Sequence, residues 1–294
     1  MTAAFVLSGI SKRYPHFELQ DIDLSLPEGQ IMGLVGVNGA GKTTLLRILT
    51  GLAQPDRGTV SVLGHSMPAE QVAAKRDIGF AAEDMRLYKG CSLRWHMDLV
   101  RSIYPRWDES YAGELLRRFD LRAEQKLGGF SHGQRVKALL MLNLARRPRL
   151  LLLDEPTTGL DPVARAEVLD ALADVLRDEA RSVLFSSHNT HDVEQLADTI
   201  SFLHGGRLLA SHDKETFLDK WRRIVCQGDW TPNPQEWPEL AAVRRDGSVL
   251  ELKVSRFSEE VPQRLQAKGL VVRSLHPMNL EDIFVTTVRA GAPA

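Results

Sequence analysis

"GVNGAGKT", residues 36–43, is the stretch of this sequence that decides the fold. It follows the short apolar run "QIMGLVG" and leads into "KTTLLRILTGL", which has the pattern of a helix that ends at Gly51. A strand, a glycine-rich turn and a helix in this order bind phosphate, because glycines let the backbone wrap it and the helix amides point at its oxygens. The stretch therefore predicts a nucleotide site in an α/β fold.

The positions of this loop have different predicted roles. Lys42 brings a positive charge to the outer phosphates, and the hydroxyl of Thr43 can ligate Mg²⁺. A chance glycine turn would lack the flanking strand and helix, so the phosphate-binding interpretation is favoured. The residues predicted to contact the nucleotide here are Gly36, Asn38, Gly39, Ala40, Gly41, Lys42, Thr43 and Thr44.

Two carboxylates follow the leucines of "LLLLDEP", residues 150–156. A continuous apolar run is typical of a strand buried on both faces of a parallel sheet, and the carboxyl end of such a strand lies at the ligand-binding edge. Asp154 is predicted to lie on the Mg²⁺ side, and Glu155 to polarise an attacking water. Paired acids also begin ordinary loops, but the phosphate loop upstream favours the catalytic role.

His188 follows another apolar run, "SVLFSS", and is predicted to reach the same edge of the sheet. It can contact a terminal phosphate there, or it can simply cap the next helix. His191 lies three residues later, which makes a metal pair conceivable, but no further ligand cluster is near in the sequence, so zinc is disfavoured.

The motifs together resemble a known family. The phosphate loop, "FSHGQ" at residues 130–134, "LLLLDEP", "GLDP" and "SSH" occur in the order and approximate spacing of an ATP-binding cassette (ABC) ATPase, over roughly residues 3–215. The resemblance implies that "FSHGQ" is the signature motif of this family. In the family that motif caps the phosphates of an ATP held by the other subunit of a head-to-tail dimer.

The resemblance also implies roles for single residues. Tyr14 is similar to the aromatic residue that stacks on adenine, although it can also be an ordinary strand tyrosine. His188 is similar to the switch histidine, which makes it catalytic together with Glu155. The implied contacts with the neighbour's nucleotide come from Ser131, His132, Gly133, Gln134 and Asp161.

The sequence departs from the family pattern at two positions. His132 stands where the signature motif usually has its second glycine. Glu83 stands where the family usually has a glutamine between its two lobes, so the implied metal ligands are Thr43, Glu83 and Asp154. Both departures bear on the rate of hydrolysis.

The periodicities and the resemblance predict an α/β fold: a P-loop (RecA-like) parallel sheet core with an N-terminal antiparallel β subdomain, an inserted helical subdomain and a small C-terminal α+β domain. We expect the nucleotide-binding domain at 1–215, with its helical subdomain at about 85–145. Residues 216–238 are predicted to be a linker, because they are rich in tryptophan and proline, and 239–294 an accessory domain.

Composition excludes several classes of protein. With 43% apolar residues the chain can bury a core, and a net charge of −1 argues against a nucleic-acid partner. The two cysteines are far apart, which suits a reducing cytosol. No apolar run reaches the ~20 residues that span a bilayer, and "MTAAFVLSGI" lacks the charged start of a signal peptide. We therefore expect a cytoplasmic protein, peripheral on the inner face of the cell membrane through a partner.

The resemblance implies the ATP-hydrolysing subunit of an ABC transporter, with ATP and Mg²⁺ as its cofactors. The tail "PMNLEDIFV" resembles stand-alone subunits of type-2 exporters, whose polytopic membrane permeases are separate chains. Such a subunit pairs with itself or with a related ATPase subunit. The alternative is a soluble regulatory or interaction ATPase, which would not co-purify with a membrane protein. A P-loop kinase is disfavoured, because "FSHGQ" would then have no role.

Overall fold

The computed structural model describes residues 2–175 and 181–291. The chain divides into two compact units, one formed by Met1–Asp198 with Leu203–Arg207 and the other by Thr199–Phe202 with Leu208–Ala294. All of the predicted site residues belong to the first unit. No helix in the two described ranges has the length and apolar character needed to cross a bilayer.

Strands and helices are interspersed along both units. In the first unit they are β1 (Ala3–Tyr14), β2 (Phe17–Pro27), β3 (Ile31–Val35), α1 (Lys42–Leu49), β4 (Arg57–Val62), β5 (His65–Met67), α2 (Gln71–Lys75), β6 (Ile78–Ala82), α3 (Leu93–Ile103), α4 (Glu109–Arg118), a 3-10 turn (Leu127–Gly129), α5 (His132–Leu144), β7 (Leu150–Asp154), α6 (Pro162–Val175), β8 (Ser182–Ser187) and α7 (Thr190–Leu196). The division between the units falls in β9 (Thr199–His204) and β10 (Arg207–Asp213). The second unit continues with α8 (Lys214–Lys220), β11 (Arg222–Gln227), β12 (Leu240–Asp246), β13 (Val249–Val254), α9 (Glu260–Ala267), β14 (Val271–Pro277) and α10 (Leu280–Ala290).

The N-terminal strands form an antiparallel sheet with the order β2-β1-β4-β5. In β2 the side chains of Ile22, Leu24 and Leu26 are buried, whereas Asp23 and Ser25 between them are exposed. This period of two is what a sheet with one face on a core requires. The predicted N-terminal antiparallel β subdomain is confirmed.

The strands β3, β8, β7 and β6 lie side by side in that order and are parallel. Every residue of β3, β7 and β8 is buried, which explains the apolar runs within them: "IMGLV", "LLLL" and "VLF". The register pairs Val35 with Ser187, Asp154 with Ser186, and Ala82 with Asp154. The residues that follow each of these strands therefore meet at one edge of the sheet.

Three helices, α3, α4 and α5, form an insertion between β6 and β7. α3 begins after Ser92, whose side chain accepts a hydrogen bond from the amide of Trp95. α5 is fixed to the sheet by Asn143, whose Oδ1 accepts a hydrogen bond of 3.0 Å from the amide of Phe80 in β6. This bond attaches the C-terminal end of α5 to β6.

The second unit contains an antiparallel sheet with the order β12-β13-β11-β14. β11 lies in its interior, with β13 on one side and β14 on the other. The buried core on this sheet is formed by Ile224, Cys226, Trp237, Leu250, Leu252, Val254, Val261, Leu265 and Leu270. Sheet and helices together agree with the predicted α+β character of this part of the chain.

The prediction of a linker over 216–238 was wrong. These residues contain β11, an interior strand that pairs with β13 on one side and β14 on the other. The tryptophans that suggested irregular structure are anchors of the unit, since Trp221 and Trp237 are buried and the rings of Trp230 and Trp237 are 5.1 Å apart. Aromatic side chains of this kind bury large apolar areas and do not indicate a linker.

Candidate active site

The loop between β3 and α1 has a backbone that only glycine permits at several positions. A Cβ on Gly36 would lie 2.5 Å from the carbonyl oxygen of Leu203, and a Cβ on Gly41 would lie 2.6 Å from Leu19. Gly41 also has a φ of 112° and stands at the N-cap of α1. Within the described residues no side chain caps this helix, so the amides of its first turn are available to an anion.

Lys42 and Glu155 form a mostly buried ion pair at this loop. The Lys42 Nζ lies 3.0 Å from Glu155 Oε1 and donates a hydrogen bond of 2.7 Å to the carbonyl oxygen of Gly36. The two side chains are only 5% and 11% exposed. Lys42 Nζ also donates to the carbonyl oxygen of Val37 at 3.4 Å. An ammonium group has three protons, so a phosphate oxygen can replace this longest contact while the other two partners are kept.

Glu155 receives its other hydrogen bonds from the neighbouring strand and loop. Its Oε2 lies 2.7 Å from Nδ1 of His188 and accepts a hydrogen bond of 3.0 Å from Oγ1 of Thr158. A carboxylate only accepts, so His188 carries its proton on Nδ1. The backbone of Glu155 has a φ of 52°, and its amide donates to Oγ of Ser186 at 3.0 Å. A positive φ in a residue other than glycine is strained and is often found at functional sites.

The electrostatics of Glu155 favour its ionised form. Burial alone would raise its pKa, but the charge and hydrogen bond of Lys42, followed by those of His188, outweigh burial. The pKa of Glu155 therefore lies below its ordinary value. The carboxylate is an anion at neutral pH and can accept a proton.

Asp154 ends β7 and is buried beside Glu155. Its Oδ1 accepts a hydrogen bond of 2.6 Å from Oγ of Ser186. Glu83 is exposed and follows Ala82, the register partner of Asp154. Asp154, Glu155 and Glu83 line the same cavity of about 150 Å³, so the structure brings the predicted catalytic and metal-side carboxylates together.

The "FSHGQ" stretch forms the start of α5. Ser131 is the N-cap: its Oγ accepts from the amide of Gln134, and the Gln134 Oε1 accepts from the amide of Ser131. This reciprocal pair is a capping box. The Ser-x-x-Gln spacing before an apolar run is the signal that would have revealed the box in the sequence, and the sequence analysis did not use it.

Asp161 precedes α6 and uses its carboxylate within its own chain. Its Oδ1 accepts hydrogen bonds of 3.0 Å from the amides of Val163 and Ala164. The bond from Ala164, together with that from Val163, holds the pKa of Asp161 below its ordinary value. The residue is exposed, which leaves the loop accessible to another chain.

Tyr14 lies at the end of β1 and is 39% exposed. The aromatic ring that packs on the phosphate loop is a different one: a Cβ on Gly41 would lie 2.7 Å from Phe17. Phe17 begins β2 and was not selected from the sequence. An alternating strand pattern gives no sign of which aromatic residue meets a loop from another sheet.

A second group of residues that sequence reasoning missed surrounds Asp192. This carboxylate is 1% exposed and accepts hydrogen bonds of 2.6 Å from Thr157 Oγ1 and from Arg165 Nε. It thereby joins the loop after β7 to α6 and α7. A buried charge needs such partners, but three positions so far apart in the sequence give no local signal.

Comparisons with known proteins identify the family of this chain. A family model described as "ABC transporter" matches residues 19–158. The chain is 30% identical to the "ABC transporter ATP-binding protein YtrB" of Bacillus subtilis, over 91% of each chain. It is 29% identical to the "Nod factor export ATP-binding protein I" of Mesorhizobium japonicum, over 97% of this chain and 86% of the other.

A solved structure described as "Structure of ATP binding subunit of ABC transporter" has the same fold. It is 26% identical, has a TM-score of 0.67, and the alignment covers 74% of this chain and 92% of the other. Fold, motif order and relatives confirm the resemblance seen in the sequence. The chain therefore belongs to the ABC transporter family as an ATP-binding subunit, and it is an ATPase.

Proposed function

We propose that this chain is the ATP-hydrolysing subunit of an ABC exporter, which pairs around two ATP molecules and drives a separate polytopic membrane permease. The observation that carries the proposal is the position of Glu155 between Lys42 and His188. This arrangement places an ionised carboxylate beside the cation of the phosphate loop, as hydrolysis of a bound nucleotide requires.

In the proposed mechanism each of these side chains has one task. Lys42 and the free amides of α1 hold the outer phosphates. Glu155 accepts a proton from the attacking water, because its lowered pKa keeps it ionised. His188 donates Nδ1–H to Glu155, and a second proton on Nε2 would let it donate to the terminal phosphate as well. Tyr14 is proposed to stack on the adenine.

The residues present fit a magnesium ion. Mg²⁺ takes one or two carboxylates, keeps several waters and binds the phosphates of its nucleotide, so it needs no cage of protein ligands. Asp154 and Glu83 supply two carboxylates at one cavity. Asp154, Thr43 and Glu83 are the proposed ligands. When bound, the ion would neutralise charge on the phosphates during hydrolysis.

Pairing with a second subunit is proposed through the N-terminus of α5 and the loop before α6. Ser131, His132, Gly133, Gln134 and Asp161 would contact the nucleotide of the neighbouring chain. The capping box supports this role, because the Ser131 oxygen accepts from Gln134 and its own proton remains available for a phosphate. The neighbour is a second copy or a related ATPase subunit.

An apolar surface on α3 supports a membrane partner. Trp95, Leu99 and Ile103 are exposed at a spacing of four residues, so they share one face of the helix, and Met85 and Tyr88 are exposed in the segment before it. Contiguous exposed apolar side chains mark interaction sites. Together with the name of the Nod factor export relative, this surface supports a permease as partner, with the subunit on the inner face of the membrane. The net charge of −1 gives no reason to propose nucleic acid.

The Glu155→Gln variant tests the proposal. The amide keeps the size of the side chain but cannot take the proton, so turnover should fall at least ~100-fold while ATP still binds. With hydrolysis blocked, the dimer should accumulate when ATP and Mg²⁺ are present, and size-exclusion chromatography would detect it. Glu114→Gln, at an exposed position of α4, is the matched control. Wild-type turnover in Glu155→Gln would show that another group is the base.

A further inference from the structure

His132 makes a contact that a glycine in its place could not make. Its Nε2 lies 3.1 Å from the carbonyl oxygen of Thr158. A carbonyl only accepts, so Nε2 carries the proton and donates it. Gly159 is part of the same arrangement, because a Cβ on that residue would lie 3.1 Å from Nε2 of His132. The ring of His132 therefore lies against the backbone of the loop that follows β7.

Thr158 is in turn fixed to Glu155 by two hydrogen bonds. Its Oγ1 donates to Glu155 Oε2 at 3.0 Å, and its amide donates to the Glu155 carbonyl at 3.2 Å. The side-chain bond reaches the same oxygen that accepts from His188. A continuous series of hydrogen bonds thus runs from His132 through Thr158 to the carboxylate that is proposed as the base.

We infer that His132 is a positioning residue for Glu155, acting through Thr158. This inference rests on the proposed function, in which Glu155 serves the nucleotide of its own chain and Ser131 serves that of the neighbour. Ser131 is the N-cap of α5 and His132 is its first residue, and the capping box holds Ser131 against Gln134 of the same helix. A displacement of Ser131 therefore also displaces His132. His132 therefore connects the loop that meets one nucleotide to the carboxylate that acts on the other.

The geometry also says what the loss of His132 does. The bond is exposed, so its removal does not unfold the loop, but it frees the Thr158 carbonyl and widens the range of positions open to Glu155. Proton transfer to a base depends on its distance from the water. The effect should appear in kcat. Binding of ATP by the monomeric chain should stay unchanged, since the chain's own nucleotide is proposed to bind at Lys42 and the free amides of α1.

His132→Ala and His132→Gln form the decisive pair of variants. Alanine removes the ring and preserves the helix, so kcat should fall about three- to tenfold, the effect of one hydrogen bond of ordinary strength. Glutamine carries an amide N–H that can reach the same carbonyl, so it should restore most of kcat. Both variants are assayed by ATP turnover in the full chain, beside wild type and Glu155→Gln, with thermal unfolding as a check on folding.

The route through Thr158 has its own test. Thr158→Val removes the hydroxyl that holds Glu155 and keeps the shape of the side chain. If His132 acts through this residue, adding His132→Ala to Thr158→Val should lower kcat by less than His132→Ala lowers it alone. Fully additive losses would overturn the route.

Three other results would overturn the inference. They are an unchanged kcat in His132→Ala, a His132→Gln variant no better than His132→Ala, and a loss of ATP binding by the monomeric chain in place of the fall in kcat. Failure of the proposed function gives a different result, because Glu155→Gln would then turn over ATP like wild type whatever the His132 variants do.

Discussion

The N-termini of α1 and α5 are both proposed to meet phosphate, yet their first amides are used in different ways. At α1 the N-cap is Gly41, and no described side chain accepts from the amides of the first turn. At α5 the side chains of Ser131 and Gln134 bond each other's backbone amides. The first helix thus leaves its first-turn amides for a ligand, whereas the second satisfies the amides of Ser131 and Gln134 within the chain.

This difference explains what holds each of the two loops in its conformation. An uncapped N-terminus with a nearby lysine is a permanent site for an anion and relies on glycine geometry and on Lys42 to hold the loop. A capped N-terminus is stable by itself and can meet a ligand that belongs to another chain only part of the time. We therefore expect variants at α1 to change nucleotide affinity and variants at α5 to change stability and turnover.

The largest effect should come from Lys42→Ala. Hydrogen bonds to charged groups contribute about 1.5–3 kcal/mol, so the affinity of the chain for ATP should fall at least about tenfold. Equilibrium binding of a fluorescent ATP analogue measures the loss. Lys268→Ala, at an exposed position of the second unit, is the control and should bind normally. Undiminished ATPase activity in Lys42→Ala would show that the loop before α1 does not bind the phosphates of ATP.

Ser131→Ala and Thr43→Ala should have different effects, which distinguish the role of the α5 N-terminus from that of the α1 N-terminus. Loss of the Ser131 cap should lower the free energy of unfolding by about 1 kcal/mol, with ATP binding by the monomeric chain near wild type, because the residue serves the neighbour's nucleotide. Thr43→Ala should weaken binding of ATP with Mg²⁺ and change stability by less than about 0.5 kcal/mol. Urea unfolding and ATP titration measure both properties. An equal stability loss in the two variants would remove the distinction.

The smallest effect should come from Glu83→Gln, and it concerns only the nucleotide bound at the N-terminus of α1. A carboxylate near Asp154 repels ATP without metal and is a stronger ligand when Mg²⁺ is present. The ATP affinity of the wild-type chain should therefore depend more steeply on Mg²⁺ concentration than that of Glu83→Gln. Asp84→Asn removes a charge at the next residue and is the control. Superimposable titration curves would make Glu83 an ordinary solvated side chain.

The parts of the site that the sequence predicts are those with local signals. A strand, a glycine turn and a lysine occur within a dozen residues, and the acids after β7 follow their leucines directly. The contacts of those acids are not local. Ser186 meets Asp154 only because β7 and β8 are neighbours in a given register, and the bond from His132 to Thr158 depends on where α5 lies against the sheet.

The error at 216–238 has a related cause. The composition of this stretch was judged residue by residue, whereas its structure comes from partners much later in the chain. β11 pairs with β13 and β14, and Trp237 packs into the core with residues of α9. Long-range pairing of this kind overrides local preference, and no pattern inside the stretch reports it.

The position of β11 within its sheet has a consequence for the order in which the chain is made. A ribosome releases β11 before β13 and β14, although these are the strands that hydrogen-bond to it. Until both have emerged, Ile224 and Cys226 have no core to enter and the strand presents unpaired edges, which favours aggregation. The sheet is therefore completed only when synthesis has passed β14 (Val271–Pro277), and a chain truncated before Val271 would leave one edge of β11 open.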